Sequence, residues 1–84
     1  MKDDKVYIDQ ILATVEKIQK FTLGLDRALF GDDEKAQSAV IMQLMLIGEL
    51  SKKISAGVKS QFDLPWKDIA GFRDVAIHNF LKLI

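Results

Sequence analysis

Residues 39–47, Ala-Val-Ile-Met-Gln-Leu-Met-Leu-Ile, are apolar almost all the way round a helix, with Gln43 the only interruption. A helix without a polar face has to be buried on more than one side. The chain around it has 84 residues, and a chain of this size buries roughly 60–65% of the surface its unfolded form exposes. Two-sided burial is hard to complete within three or four helices, so part of this surface is expected to face another subunit. The alternative is that the first and third helices cover it between them. There is no cysteine, and a single histidine leaves no His/Cys zinc cluster, so neither a disulfide nor structural zinc adds stability.

The residues before this stretch read as one long amphipathic helix. From Ile8 the residues Ile8, Ile11, Val15, Ile18, Thr22, Leu25 and Leu29 step by three and four, while Asp9, Glu16, Lys17 and Lys20 fall between them. Asp3 or Asp4 is placed to cap its start, and Gly31 sits where it would stop. Gly24, inside the pattern, either marks a close helix crossing or costs about 1 kcal/mol relative to alanine. Asp32-Asp33-Glu34 offers capping oxygens and negative charge to a second helix expected over Asp33 to Ala56, with Lys52 and Lys53 near its end and Gly57 just beyond. Between Gly57 and Pro65 no helical period appears, and Pro65 suits the first position of a last helix. That helix carries Trp66, Ile69, Phe72 or Arg73, Ala76, Ile77, Phe80 and Leu81 at helical spacing. With no strand pattern or repeat, the expected fold is a single-domain, all-α antiparallel helical bundle.

Composition limits the partners. The formal net charge is zero, but residues 1–50 carry six basic and nine acidic side chains and residues 51–84 carry six and three. A cationic carboxyl-terminal part is compatible with an anionic ligand such as RNA, but a surplus of three charges is common on ordinary surfaces. Met-Lys-Asp-Asp-Lys lacks the apolar core of a signal peptide, and no apolar run approaches the roughly 20 residues that span a bilayer. A cytoplasmic protein with no membrane partner is the expectation.

The sequence shows no glycine-rich phosphate loop, no paired carboxylates in the carboxyl-terminal region and no Ser/His/Asp arrangement. What remains is Arg73 and His78. Histidine exchanges protons near neutral pH, and arginine binds phosphate through a bidentate fork. Metal-free cleavage of an RNA phosphodiester needs both abilities. The spacing alone is unspecific: five residues correspond to about 140° of helix rotation. Taken alone, a histidine beside Ile77 and Phe80 is more often a structural residue, and an arginine beside Asp74 more often a surface ion pair.

The segment Leu64-Pro65-Trp66-Lys67-Asp68-Ile69-Ala70-Gly71-Phe72-Arg73-Asp74-Val75-Ala76-Ile77-His78-Asn79-Phe80 resembles the signature of the HEPN superfamily, and more narrowly its HepT-like branch. In that branch a Pro-Trp pair, an isoleucine, a glycine before an apolar residue, Arg followed by Asn or Asp, an apolar stretch and His occur in this order. Ile47-Gly48-Glu49-Leu50-Ser51-Lys52-Lys53-Ile54 is similar to the end of the branch's second helix, so the resemblance covers most of the chain. It implies a dimeric all-α bundle in which the R-x4-6-H motifs of two protomers meet in a cleft. It also implies a metal-independent endoribonuclease, the toxin of a two-gene module whose partner is an MNT-type nucleotidyltransferase antitoxin. On this chain the resemblance makes Arg73 and His78 catalytic and Asp74 a supporting residue, with RNA as substrate and no cofactor.

Two departures accompany the resemblance. Members often carry, two residues after the histidine, a tyrosine that the antitoxin modifies with AMP. Here that position is Phe80, which has no hydroxyl, and Tyr7 is not a matching position. The chain also stops six residues after His78, where members usually continue. It is therefore expected to be a shortened homologue whose apolar end, residues 80–84, is covered by a dimer or belongs to an inactive form. Two other readings stay open: a non-catalytic module binding a nucleotide or partner, and a purely structural dimerisation module.

Overall fold

The computed structural model describes residues 2–82, with side chains described for residues 4–79, and is helical throughout its ordered elements. Five helices follow in order: α1 (Lys2–Phe21), α2 (Arg27–Asp32), α3 (Glu34–Ser51), α4 (Ala56–Lys59) and α5 (Trp66–Lys82). The long helices α1 and α5 both pack on α3. The amino-terminal end of α1 meets the segment after α3 through Asp4 and Ser55. Gly48, late in α3, meets Ile69, early in α5. Both pairings are therefore antiparallel, as the sequence pattern implies.

The amino-terminal helix is shorter than its apolar stripe. Gly24 takes a left-handed backbone, φ 79°, which is easy for glycine and strained for residues with a Cβ. The chain breaks there, and Asp26 starts α2 by accepting a hydrogen bond from Leu29 N at 2.8 Å. Leu25 and Leu29 thus belong to the turn and to α2, and Gly24 is neither an interior helix residue nor a crossing point. Gly31 lies inside α2, whose last carbonyls, those of Phe30 and Gly31, accept hydrogen bonds from the Gln37 amide at 2.9 and 2.8 Å.

Asp33 caps α3 as expected, its Oδ1 accepting from Ala36 N at 2.9 Å. The helix then ends at Ser51 rather than Ala56. Ser51 is buried and donates its hydroxyl to Gly48 O at 2.7 Å, and the chain turns through Lys52 and Lys53 into α4, which Ser55 caps. Gly57 is inside α4 rather than beyond a helix end, and the segment expected to be irregular begins with this short helix. Pro65 occupies the cap position, one residue before α5, its carbonyl accepting the first helical bond from Ile69 N at 3.0 Å. Trp66 ties α4 to α5: its indole Nε1 donates to Lys59 O at 3.1 Å and Phe62 O at 3.2 Å.

Asp4 does not cap α1 as expected. The Asp3 side chain lies outside the described residues, and Asp4 is within α1, nearly buried. Its carboxylate accepts from Ser55 N at 2.7 Å and from the Ser55 hydroxyl at 2.8 Å, closing a contact across 51 residues. These two bonds, the backbone one first, hold the Asp4 pKa below its ordinary value. A carboxylate with a lowered folded-state pKa contributes stability that is fully present above the unfolded value of about 3.9 and is lost as pH falls through the folded value. The expected result is a higher melting temperature for the wild type than for Asp4→Asn at about pH 6, with the gap closing by about pH 2. An equal gap at both pH values contradicts this role for Asp4.

Among the described residues, buried apolar side chains are few: Ala36, Val40 and Ile54. Helices α1 and α5 do not close over α3, leaving Ile41 at 42%, Met42 at 52% and Leu46 at 40% exposure. Coverage of the apolar helix by its two neighbours is thus incomplete.

Candidate functional site

Arg73, Asp74 and His78 lie in the middle and second half of α5, a 17-residue helix. The helix holds to α3 through Ile69, Phe72 and Ala76, which recur at three and four, and the close contact at Gly48 fixes its start. His78 is nine residues from Ile69 along the helix, or about 180° round it, and so points away from α3. Arg73 points along a flank, about 140° from His78, with an axial separation of about 7.5 Å. All three side chains are exposed.

None of the three has an ion-pair or hydrogen-bond partner among the described residues, where the ion pairs are Lys5–Asp9 and Lys52–Glu49. The bland reading of Arg73 as half of a surface pair with Asp74 is therefore not what the structure shows. Nor is His78 a packed structural histidine. An exposed guanidinium and an exposed imidazole are free to meet an anionic ligand, the first through a bidentate fork and the second as proton donor or acceptor.

The protomer alone does not enclose them. A hollow of about 490 Å³ lies beside the motif between α3 and α5, walled by Ile41, Met45, Phe72, Val75, Ala76, Ile77 and Asn79. A groove of about 360 Å³ between α1 and the start of α5 is lined by Ile8, Ile11, Leu12, Ile47, Ile69 and other residues, none of them charged. Neither cavity contains Arg73 or His78. Among the described residues no group of three or more His, Cys, Asp or Glu side chains comes together to hold a metal ion. The Phe80 position is within α5, but its side chain and residues 83 and 84 lie outside what is described, as does the expectation about how the apolar end is covered.

Sequence reading had not singled out Lys67. It sits eleven residues before His78, which is three turns and the same face of α5, and it too is exposed and without a partner. The signal was present in the 67, 71, 74, 78 spacing.

A family model described as Ribonuclease HepT-like matches residues 11–83, which takes in the whole of α5. The chain belongs to the HepT-like ribonuclease family. Ribonuclease-type function therefore attaches to it at the level of the family. The protein named "Probable ribonuclease HepT" of Thermococcus cleftensis is 36% identical over 80 residues, covering 94% of this chain and 73% of that protein. The protein named "Putative RNase" of Methanocaldococcus jannaschii is 31% identical over 83 residues, covering 98% of this chain and 76% of the relative. A second M. jannaschii protein, named "Gamma-glutamylcyclotransferase and putative RNase", is 31% identical over 80 residues, and here the match spans only 36% of the relative's length. No solved structure gives a significant match. Among the described residues no helix of this HepT-like chain is long and apolar enough to cross a membrane.

Proposed function

We propose that this chain is a metal-independent endoribonuclease in which His78 is the general acid/base and Arg73 stabilises the scissile phosphate. The observation that carries the reading is the presence, on the α5 segment matched by the HepT-like model, of an exposed arginine and an exposed histidine with no intramolecular partner. The 2′-oxygen of the substrate attacks phosphorus as its proton is removed, the bond from phosphorus to the 5′-oxygen breaks, and that oxygen takes up a proton. The products are a 2′,3′-cyclic phosphate and a free 5′-hydroxyl. His78 carries the proton at one of these two oxygens, and Arg73 donates to the non-bridging oxygens as charge develops on them. Asp74, next to Arg73 and one turn before His78, supports the site.

The functional unit in this reading is a homodimer. A second copy supplies the wall that the protomer lacks and covers the apolar surface left open on α3. The physiological setting is a cytoplasmic toxin–antitoxin module with an MNT-type nucleotidyltransferase as partner. Phe80 has no hydroxyl, so the partner neutralises this chain otherwise than by transferring AMP to that position.

Arg73→Ala is expected to slow RNA cleavage by about 10²-fold or more, because a charge-assisted contact made in the transition state is lost. Arg73→Lys is expected to recover only part of this, since lysine provides charge without the fork. Single-turnover cleavage of a labelled RNA measures both, and full activity in Arg73→Ala contradicts the assignment. RNA or nucleotide binding with no cleavage product from the wild type would favour the non-catalytic module instead.

A further inference from the structure

The hollow of about 490 Å³ between α3 and α5 is lined by seven residues, six of them apolar, Ile41, Phe72 and Val75 among them. The seventh is Asn79. Its amide is exposed and makes no hydrogen bond among the described residues, and asparagine is among the less favoured residues inside a helix. A carboxamide presents an acceptor oxygen and two donor hydrogens side by side. Sites for small organic ligands are typically cavities of about 300–1,000 Å³ with apolar walls and a few polar groups that fix orientation. The hollow has that make-up, with one polar group in its wall.

Its place on α5 indicates the ligand. Going round the helix from His78, Val75 follows at about 60°, Asn79 at about 100° and Phe72 at about 120°. The flank that opens into the hollow therefore adjoins the face carrying His78. The hollow is bare of charge, so it suits the base of a nucleotide and not its phosphate. An unpaired RNA base is commonly held by stacking on an aromatic ring and read along its polar edge, and Phe72 and Asn79 offer these two contacts. A base seated there leaves its sugar over Val75, which is 57% exposed, and its phosphate on the side of His78. Adenine fits the amide: its exocyclic amine donates to the carboxamide oxygen while its N7 accepts from the carboxamide nitrogen.

We propose that this hollow holds an adenine base of the RNA strand, on a nucleotide next to the scissile phosphate, and that Asn79 selects it. The proposal rests on the catalytic reading above and adds a base preference to it. Of the three exposed apolar residues of α3 named above, Ile41 alone lines the hollow. Met42 and Leu46 lie about 100° and 140° round α3 from Ile41, so a second copy can cover them without filling the hollow.

Two measurements on the full chain test the assignment. In the first, adenosine 3′-monophosphate and uridine 3′-monophosphate are titrated into isotope-labelled protein and followed by amide NMR spectra. The wild type is expected to bind the adenosine nucleotide about tenfold or more tighter than the uridine one, with shifts at Phe72, Ala76 and the Asn79 side chain. Asn79→Ala is expected to lose that difference at an unchanged melting temperature, and Asn79→Gln, which keeps a carboxamide, to recover part of it. In the second, an RNA of mixed sequence is cut and the ends are sequenced. The wild type is expected to favour adenosine on one side of the cut by about tenfold or more, and Asn79→Ala to lose the preference. Equal affinity for the two nucleotides, a preference for another base, or a preference that persists in Asn79→Ala overturns the assignment. Cleavage by the wild type without any base preference removes the adenine site and keeps the catalytic reading. Adenosine nucleotide binding that depends on Asn79, with no cleavage of RNA, keeps the adenine site and removes the catalytic reading.

Discussion

In the His78→Ala variant, RNA cleavage is expected to fall by about 10²–10⁴-fold, the range that a positioned general acid or base contributes. The fold should be unaffected, because His78 is exposed, points away from α3 and has no hydrogen-bond partner among the described residues. Substitutions at exposed positions without such contacts usually change stability by less than about 0.5 kcal/mol. Activity and stability are thereby separated: a catalytic residue loses rate at constant melting temperature, while a packed structural histidine would lose both. His78→Ala with the wild-type rate, or with a collapsed melting temperature, contradicts the role assigned to it.

The largest effect on stability is expected at Gly48. Its built Cβ lies 2.6 Å from Ile69 O and 3.6 Å from Ala70 O, so the obstacle is α5 backbone rather than the end of a flexible side chain. Gly48→Ala therefore forces α5 away from α3. Overpacking of this kind costs about 1–3 kcal/mol, and for a domain of this size each kcal/mol lowers the melting temperature by about 4–8 °C. Alanine's better helix propensity returns up to about 1 kcal/mol and does not reverse the sign. Thermal unfolding followed by circular dichroism reads the result, and a melting temperature equal to or above the wild type contradicts the close crossing. The same displacement moves Arg73 and His78 relative to α3, so the variant is also expected to cleave RNA more slowly.

Much of the architecture was legible because it is local. The stepping of Ile69, Phe72 and Ala76 sets the inner face of α5, and Asp33 with Glu34 marks the start of α3 through a side chain three residues from the amide it caps. What was missed has identifiable causes. A stripe of apolar residues runs through Gly24 unchanged, because hydrophobic spacing carries no information about a positive φ. The stop at Ser51 depends on a buried hydroxyl turned back on Gly48, and α4 has only four residues, too few for a period. The bond from Ser55 to Asp4 spans 51 residues and has no sequence signature. The close crossing expected of a glycine exists, but at Gly48 rather than Gly24, since only the packed structure shows which helix backbone comes near.

The site was legible to a different degree. Helical spacing placed Arg73 and His78 on α5 and about 140° apart, and the structure adds that both are exposed and unpaired. Chemistry was not contained in the spacing, which many helices share by chance. It comes from the signature around the two residues, which the family match over residues 11–83 now supports. The shape of the site was not legible, because no single α5 provides an enclosing wall. That shape depends on what covers the open side of α3.

In the proposed reaction the RNA is cut through the substrate's own 2′-hydroxyl, with His78 moving the proton and no metal taking part. Incubating the purified wild type in excess EDTA with an RNA oligonucleotide, and with the same oligonucleotide carrying a 2′-deoxy sugar at the cleaved position, tests it most directly. The account predicts cleavage of the RNA to a 2′,3′-cyclic phosphate end and an intact deoxy-substituted strand. No cleavage of the RNA in EDTA, or equal cleavage of both strands, would contradict it.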